Sequence, residues 1–130
     1  MQPTDIAFLA GRLLLGGYFL IAGVAHFRGA KAMAGYAASK NVPAPRAAVL
    51  GTGALLALGG LSLATGLLPL VGIALLAVFL LGVTPKMHDF WNVQEPMQRM
   101  GETVNFQKNV ALLGAVVALA AVARPWPMAL

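Results

Sequence analysis

The stretch that decides the fold is Ile6–Phe27, IAFLAGRLLLGGYFLIAGVAHF, in which Arg12 is the single formal charge. At about 1.5 Å of rise per residue, a helix over this stretch crosses a hydrocarbon core of about 30 Å. Thr4 and Asp5 precede it as N-cap candidates. A water-facing helix keeps one polar face, and this one has none, so lipid is its expected solvent.

Three further apolar segments follow. Ala47–Leu68 carries no charge, and its small residues Gly53, Ala57, Gly60 and Ala64 recur at steps of four, three and four. That spacing makes one stripe on which another backbone can approach closely. Pro69 marks a short turn, so the next segment forms an antiparallel hairpin with it. The third segment runs from Pro69 to Thr84 and is expected to continue, kinked at Pro85, to His88. The fourth opens near Glu102, is apolar from Val110 to Ala123, and ends at Arg124-Pro125-Trp126. The reading is an all-α membrane protein of one domain over residues 1–130, a four-transmembrane-helix bundle with helices at about 5–27, 47–68, 69–88 and 102–124.

Composition agrees. Of 130 residues, 59% are hydrophobic and 10% charged. Soluble domains carry about 25% charge. The mean hydropathy is +0.80. The net charge of +5 comes from nine Lys and Arg scattered singly, without a basic run, which argues against a nucleic-acid partner. There is no cysteine, so disulfides, thiol redox chemistry and thiolate metal sites are excluded within the chain. MQPTDIAFLAGR has no basic n-region, and no cleaved signal peptide is expected.

The bases set an expected orientation. The loop between the first two helices, residues 28–46, holds Arg28, Lys31, Lys40 and Arg46, and a short interfacial helix is expected there around Ala30–Ser39. The loop before the fourth helix, residues 86–105, adds Lys86 and Arg99, with Lys108 just beyond. The positive-inside rule puts both loops in the cytoplasm and both termini outside, with Trp91 and Trp126 as interfacial anchors.

Polar groups inside apolar helices are the candidate site residues. Arg12, Gly16, Phe19, Gly23 and His26 recur at steps of four, three, four and three, so they share a face. Arg12 and His26 then lie about 21 Å apart along it. Arginine at helix centre costs about 2.5–3.5 kcal/mol on insertion scales. Arg12 therefore either snorkels to the interface or pairs inside the bundle. His26 reads as a hydrogen-bonding residue or a ligand contact. Thr84 and His88 are four apart, and Glu102, Asn105 and Asn109 share a face beside Lys108. Asparagine here serves as interhelical glue or as part of a site. If His26, His88, Glu102 and Asn105 gather at one end, they form a polar pocket beneath an apolar bundle. No tight His spacing supports a metal site, and no activated nucleophile or cofactor fingerprint is visible.

Three stretches resemble a known family: GRLLLGGYFLIAGVAHF from Gly11, HDFW from His88, and NFQKNVALLGAVV from Asn105. They resemble the DoxX-like small integral membrane proteins, over nearly the whole chain. Family members often carry a lysine where this chain has His26. The resemblance implies a four-helix membrane bundle. It also implies a connection with quinone-linked sulfur oxidation or with membrane oxidoreductase assemblies that answer oxidative stress. More distant relatives act as assembly chaperones or cargo receptors.

The expectation is an accessory, non-catalytic subunit of a redox-linked or quinone-associated assembly in a bacterial-type inner membrane. An apolar cleft would take a quinone or a lipid tail, and no other cofactor is expected. The partners would be the bilayer, other membrane proteins or a second copy. The alternative is a membrane chaperone or scaffold that uses its glycine stripes against clients. A small transporter is a third reading, weakened by the lack of internal repeats.

Overall fold

The computed structural model describes residues 1–130 as helices and short connections. The helices are α1 (Pro3–Arg28), α2 (Ala30–Ser39), α3 (Pro45–Thr65), α4 (Pro69–Met87) and α5 (Pro96–Ala118). Single 3₁₀ turns follow α4 at Phe90–Asn92 and α5 at Leu119–Ala121. All but α2 are long and apolar enough to cross a membrane.

Proline opens the four long helices, at Pro3, Pro45, Pro69 and Pro96. Its missing N–H falls where a helix has no acceptor to offer, and its fixed φ suits the first turn. The start of α1 therefore precedes the Thr4/Asp5 cap expected from sequence. Gln2 takes the cap position, and its N–H donates to the Asp5 carboxylate at 2.8 Å.

The fourth crossing differs most from expectation, with helical residues 96–118 in place of about 102–124. The Glu95 carboxylate caps it, accepting from Met97 N–H at 3.1 Å and Gln98 N–H at 2.6 Å. At the far end Pro125 disfavours a helical conformation for Arg124. The chain instead turns back over the bundle.

The closest packing is between α1 and α3. A Cβ on Gly16 would stand 2.6 Å from the Gly60 carbonyl and 2.7 Å from Ala64 N. On Gly23 it would stand 2.6 Å from Ala57 N and 2.8 Å from the Gly53 carbonyl. Only hydrogen fits at either position, so two small-residue stripes meet backbone to backbone. Further along, α3 packs on α4 and α4 on α5, while α2 lies against α3. The end members of this row, α1 and α5, do not pack closely on each other. The four long helices thus follow one another as an arc α1, α3, α4, α5 around a shared core.

The core fills the concave side of that arc with Phe19, Leu56, Leu63, Leu76, Leu80 and Val116. Outward, Leu14, Ile21, Val78, Leu81 and Val117 are exposed. In water that pattern would be a liability; in a bilayer it is the required surface. Trp126 corrects the expectation of an interfacial anchor: it is buried in the core, edge-on to Phe8 with ring centroids 5.2 Å apart. The returning tail is held again where Leu130 N–H donates to the Thr65 carbonyl at 3.0 Å. These contacts put the start of α1, the α3–α4 turn and the tail at one end. The other end carries α2 and the connection from α4 to α5.

Candidate functional site

A cavity of about 590 Å³ lies at the α2 end of the arc. Phe19, Leu56, Phe79 and Leu80 form its deep apolar part. Toward the α2 end three of the four long helices turn polar. On α1 the lining passes from Phe19 and Ala22 to His26, on α4 from Phe79 and Val83 to Lys86, and on α5 from Leu112 to Asn109 and Lys108. His88, just past α4, joins them, and Met33 and Tyr36 of α2 complete the wall.

The imidazoles are oriented. His26 Nδ1 lies 2.9 Å from the Ala22 carbonyl. A carbonyl only accepts, so Nδ1–H donates and Nε2 is left available. The ring meets Phe79 edge-on at 6.1 Å between centroids. His88 Nδ1 lies 2.6 Å from Glu102 Oε2 and donates to that carboxylate.

Above the cavity runs a chain of polar contacts. The second Glu102 oxygen accepts from the Tyr36 hydroxyl at 3.4 Å, a long bond. Lys40 Nζ pairs with Asp89 at 2.5 Å and stands 5.9 Å from the Tyr36 ring centroid. Asn92 also donates to Asp89, at 3.1 Å. The hydrogen bond to Asp89 raises the Lys40 pKa above its ordinary value. Burial, and then the Glu102 charge, raises that of Tyr36.

The sequence candidates divide into three groups. His26, His88, Lys108 and Asn109 line one cavity, and Glu102 holds His88 from behind. Asn105 is half-buried and does not line it. Arg12 stands at the opposite end, 2% exposed, where Nη2 donates to the Met128 carbonyl at 2.5 Å. Its Nε and Nη1 have no partner. The residues Gly16, Gly23, Gly53, Ala57, Gly60 and Ala64 belong to the α1/α3 contact. No three His, Asp or Glu side chains converge as metal ligands would.

Tyr36, Lys40 and Asp89 were missed as site residues. Their partners lie far off in sequence: Lys40 and Asp89 are 49 positions apart, Tyr36 and Glu102 66. One signal was available. The chain has only four acidic residues, so each acid near the basic loops is a candidate partner for them.

These features define an all-α, multi-pass membrane protein with an apolar cavity at one end. The chain belongs to the DoxX family, whose model matches residues 7–89. That match spans α1 to α4 and stops before α5, so the NFQKN stretch with Lys108 and Asn109 lies outside it. No curated protein and no solved structure matches the chain.

Proposed function

We propose that the chain is an accessory, non-catalytic subunit of a redox-linked membrane assembly, and that its cavity holds the tail of a quinone or lipid. The cavity carries this reading: about 590 Å³ lined by apolar side chains, with polar groups gathered at one end. Ligand pockets run from about 300 to 1,000 Å³ and combine apolar walls with a few placed polar groups. His26 and His88 supply those groups, with Asn109 in the place expected of Asn105. The proposed setting is a bacterial-type inner membrane with the α2 end in the cytoplasm, supported by Arg28, Lys31, Lys40, Arg46, Lys86 and Arg99 near that end.

A scaffold reading gains less support. The glycine stripes that would meet client helices are already used between α1 and α3.

The test is purification in mild detergent, then lipid extraction and mass spectrometry of the intact particle. A quinone or lipid near one per chain, together with a co-purifying oxidoreductase, is expected. If neither ligand nor partner is recovered from native membranes, the reading is wrong.

A further inference from the structure

The lining of the cavity carries one more inference, which rests on reading it as a ligand site. No aspartate or glutamate is among its lining residues. Lys86 and Lys108 both line it, and neither amine has a carboxylate within 4.0 Å. By contrast Lys40, just outside, is paired with Asp89, and Glu102 is occupied by His88 and Tyr36. Lys108 leans instead toward the Tyr18 ring, 6.0 Å from its centroid. Two of the chain's four acids, Asp89 and Glu102, are thus paired beside the cavity, while two amines at it stay unpaired.

Part of the lining is exposed on the flanks of the long helices. Val78, Gly82 and Lys86 follow one another at four-residue steps on α4; all three line the cavity and all are exposed. Tyr18 on α1 and Lys108 on α5 are lining residues exposed in the same way. Between α1 and α5 these two side chains face each other across the cavity's flank. The exposed lining thus runs from apolar, at Val78, to cationic, at Lys86. A molecule whose chain lies in hydrocarbon and whose head lies at the interface meets this gradient in register.

We propose that the ligand is a single-chain amphiphile with an anionic head, entering sideways from the bilayer. Its chain lies among Phe19, Leu56, Phe79 and Val83, and its carboxylate or phosphate is held by Lys86 and Lys108. A neutral quinone head offers acceptors but no charge to meet two amines, and charge-assisted bonds are the stronger. The volume, in the lower half of the usual pocket range of about 300–1,000 Å³, favours one chain over two.

The test is displacement of fluorescent cis-parinaric acid from the purified full-length protein in detergent. The competitors are oleate, oleyl phosphate, oleyl alcohol and decylubiquinone. Oleate or oleyl phosphate is expected to displace the probe at about one-tenth the concentration of the alcohol or the quinone. Which anion leads identifies the head. The combined Lys86→Gln and Lys108→Gln variant is expected to reduce that advantage to about twofold, whereas Lys31→Gln, away from the cavity, keeps it. Equal displacement by oleate and oleyl alcohol overturns the anionic head but leaves the cavity as a ligand site. Preferred displacement by decylubiquinone also overturns it and favours a quinone. Absence of binding by every compound overturns both readings. The wild-type series decides these outcomes even if the variant fails to fold.

Discussion

Arg12 and Met128, 116 positions apart, are joined by a hydrogen bond from the guanidinium Nη2 to a main-chain carbonyl. The arginine is buried, and its Nε and Nη1 are unsatisfied. A charged hydrogen bond contributes about 1.5–3 kcal/mol. This one anchors the tail that carries Trp126 into the core. Arg12→Ala is expected to loosen the tail. In a Trp91→Phe background, which leaves Trp126 as the only tryptophan, its emission should move to the red, and carboxypeptidase A should cleave Leu130 and Ala129 from the end of the tail more readily. Unchanged emission and unchanged cleavage would show that the tail is held without Arg12.

The α1/α3 contact makes a paired prediction. At Gly16 an added methyl meets the backbone of Gly60 and Ala64, which no rotamer change can relieve. At Gly17 it meets nothing within 4 Å. Gly16→Ala is expected to destabilise by about 1–3 kcal/mol, the usual range for overpacking. Gly17→Ala should be neutral or stabilise by up to about 1 kcal/mol through helix propensity. Thermal unfolding in one detergent compares them, and equal melting temperatures would refute the close approach.

His88 and Glu102 lie 2.6 Å apart, with side chains 21% and 14% exposed. A double-mutant cycle with His88→Ala and Glu102→Gln should give a coupling of about 0.5–1 kcal/mol. Strict additivity would mean that the pair does not tie α5 to the end of α4.

Lys40 and Tyr36 predict an alkaline dependence. Both pKa values are raised in the folded state, Lys40 chiefly by its hydrogen bond to Asp89 and Tyr36 chiefly by burial. A raised folded pKa favours the folded state fully below the unfolded value, and this contribution is lost as pH rises through the folded one. The unfolded references are about 10.4 for lysine and 10 for tyrosine. Stability should therefore hold up to about pH 10 and fall beyond it. Lys40→Met should flatten that fall, and Tyr36→Phe should flatten it further. A wild-type melting temperature that is constant across this range would count against both contacts.

The crossings were legible because hydropathy is local: Ile6–Phe27 announces its solvent without knowing its neighbours. The short helix at Ala30–Ser39 was legible for the same reason. The start of α5 was less so, because Pro96–Gly101 is polar, ends on a glycine and reads as loop. Glu95 before Pro96 was the better guide there, a capping acid followed by a helix-opening proline. The site was half legible. His26, His88, Lys108 and Asn109 stand out against apolar surroundings. Arg12 stands out equally but serves the other end of α1, as its spacing of about 21 Å from His26 along the helix implies. The Lys40–Asp89 pair depends on which loop folds against which, and that is decided by packing distant from both residues.

The returning tail has a consequence for the depth of the cavity. Trp126 fills the bundle at the end opposite the cavity, beneath Met128 and Leu130. The cavity therefore stops short of the tail, whose packed side chains close the bundle behind it.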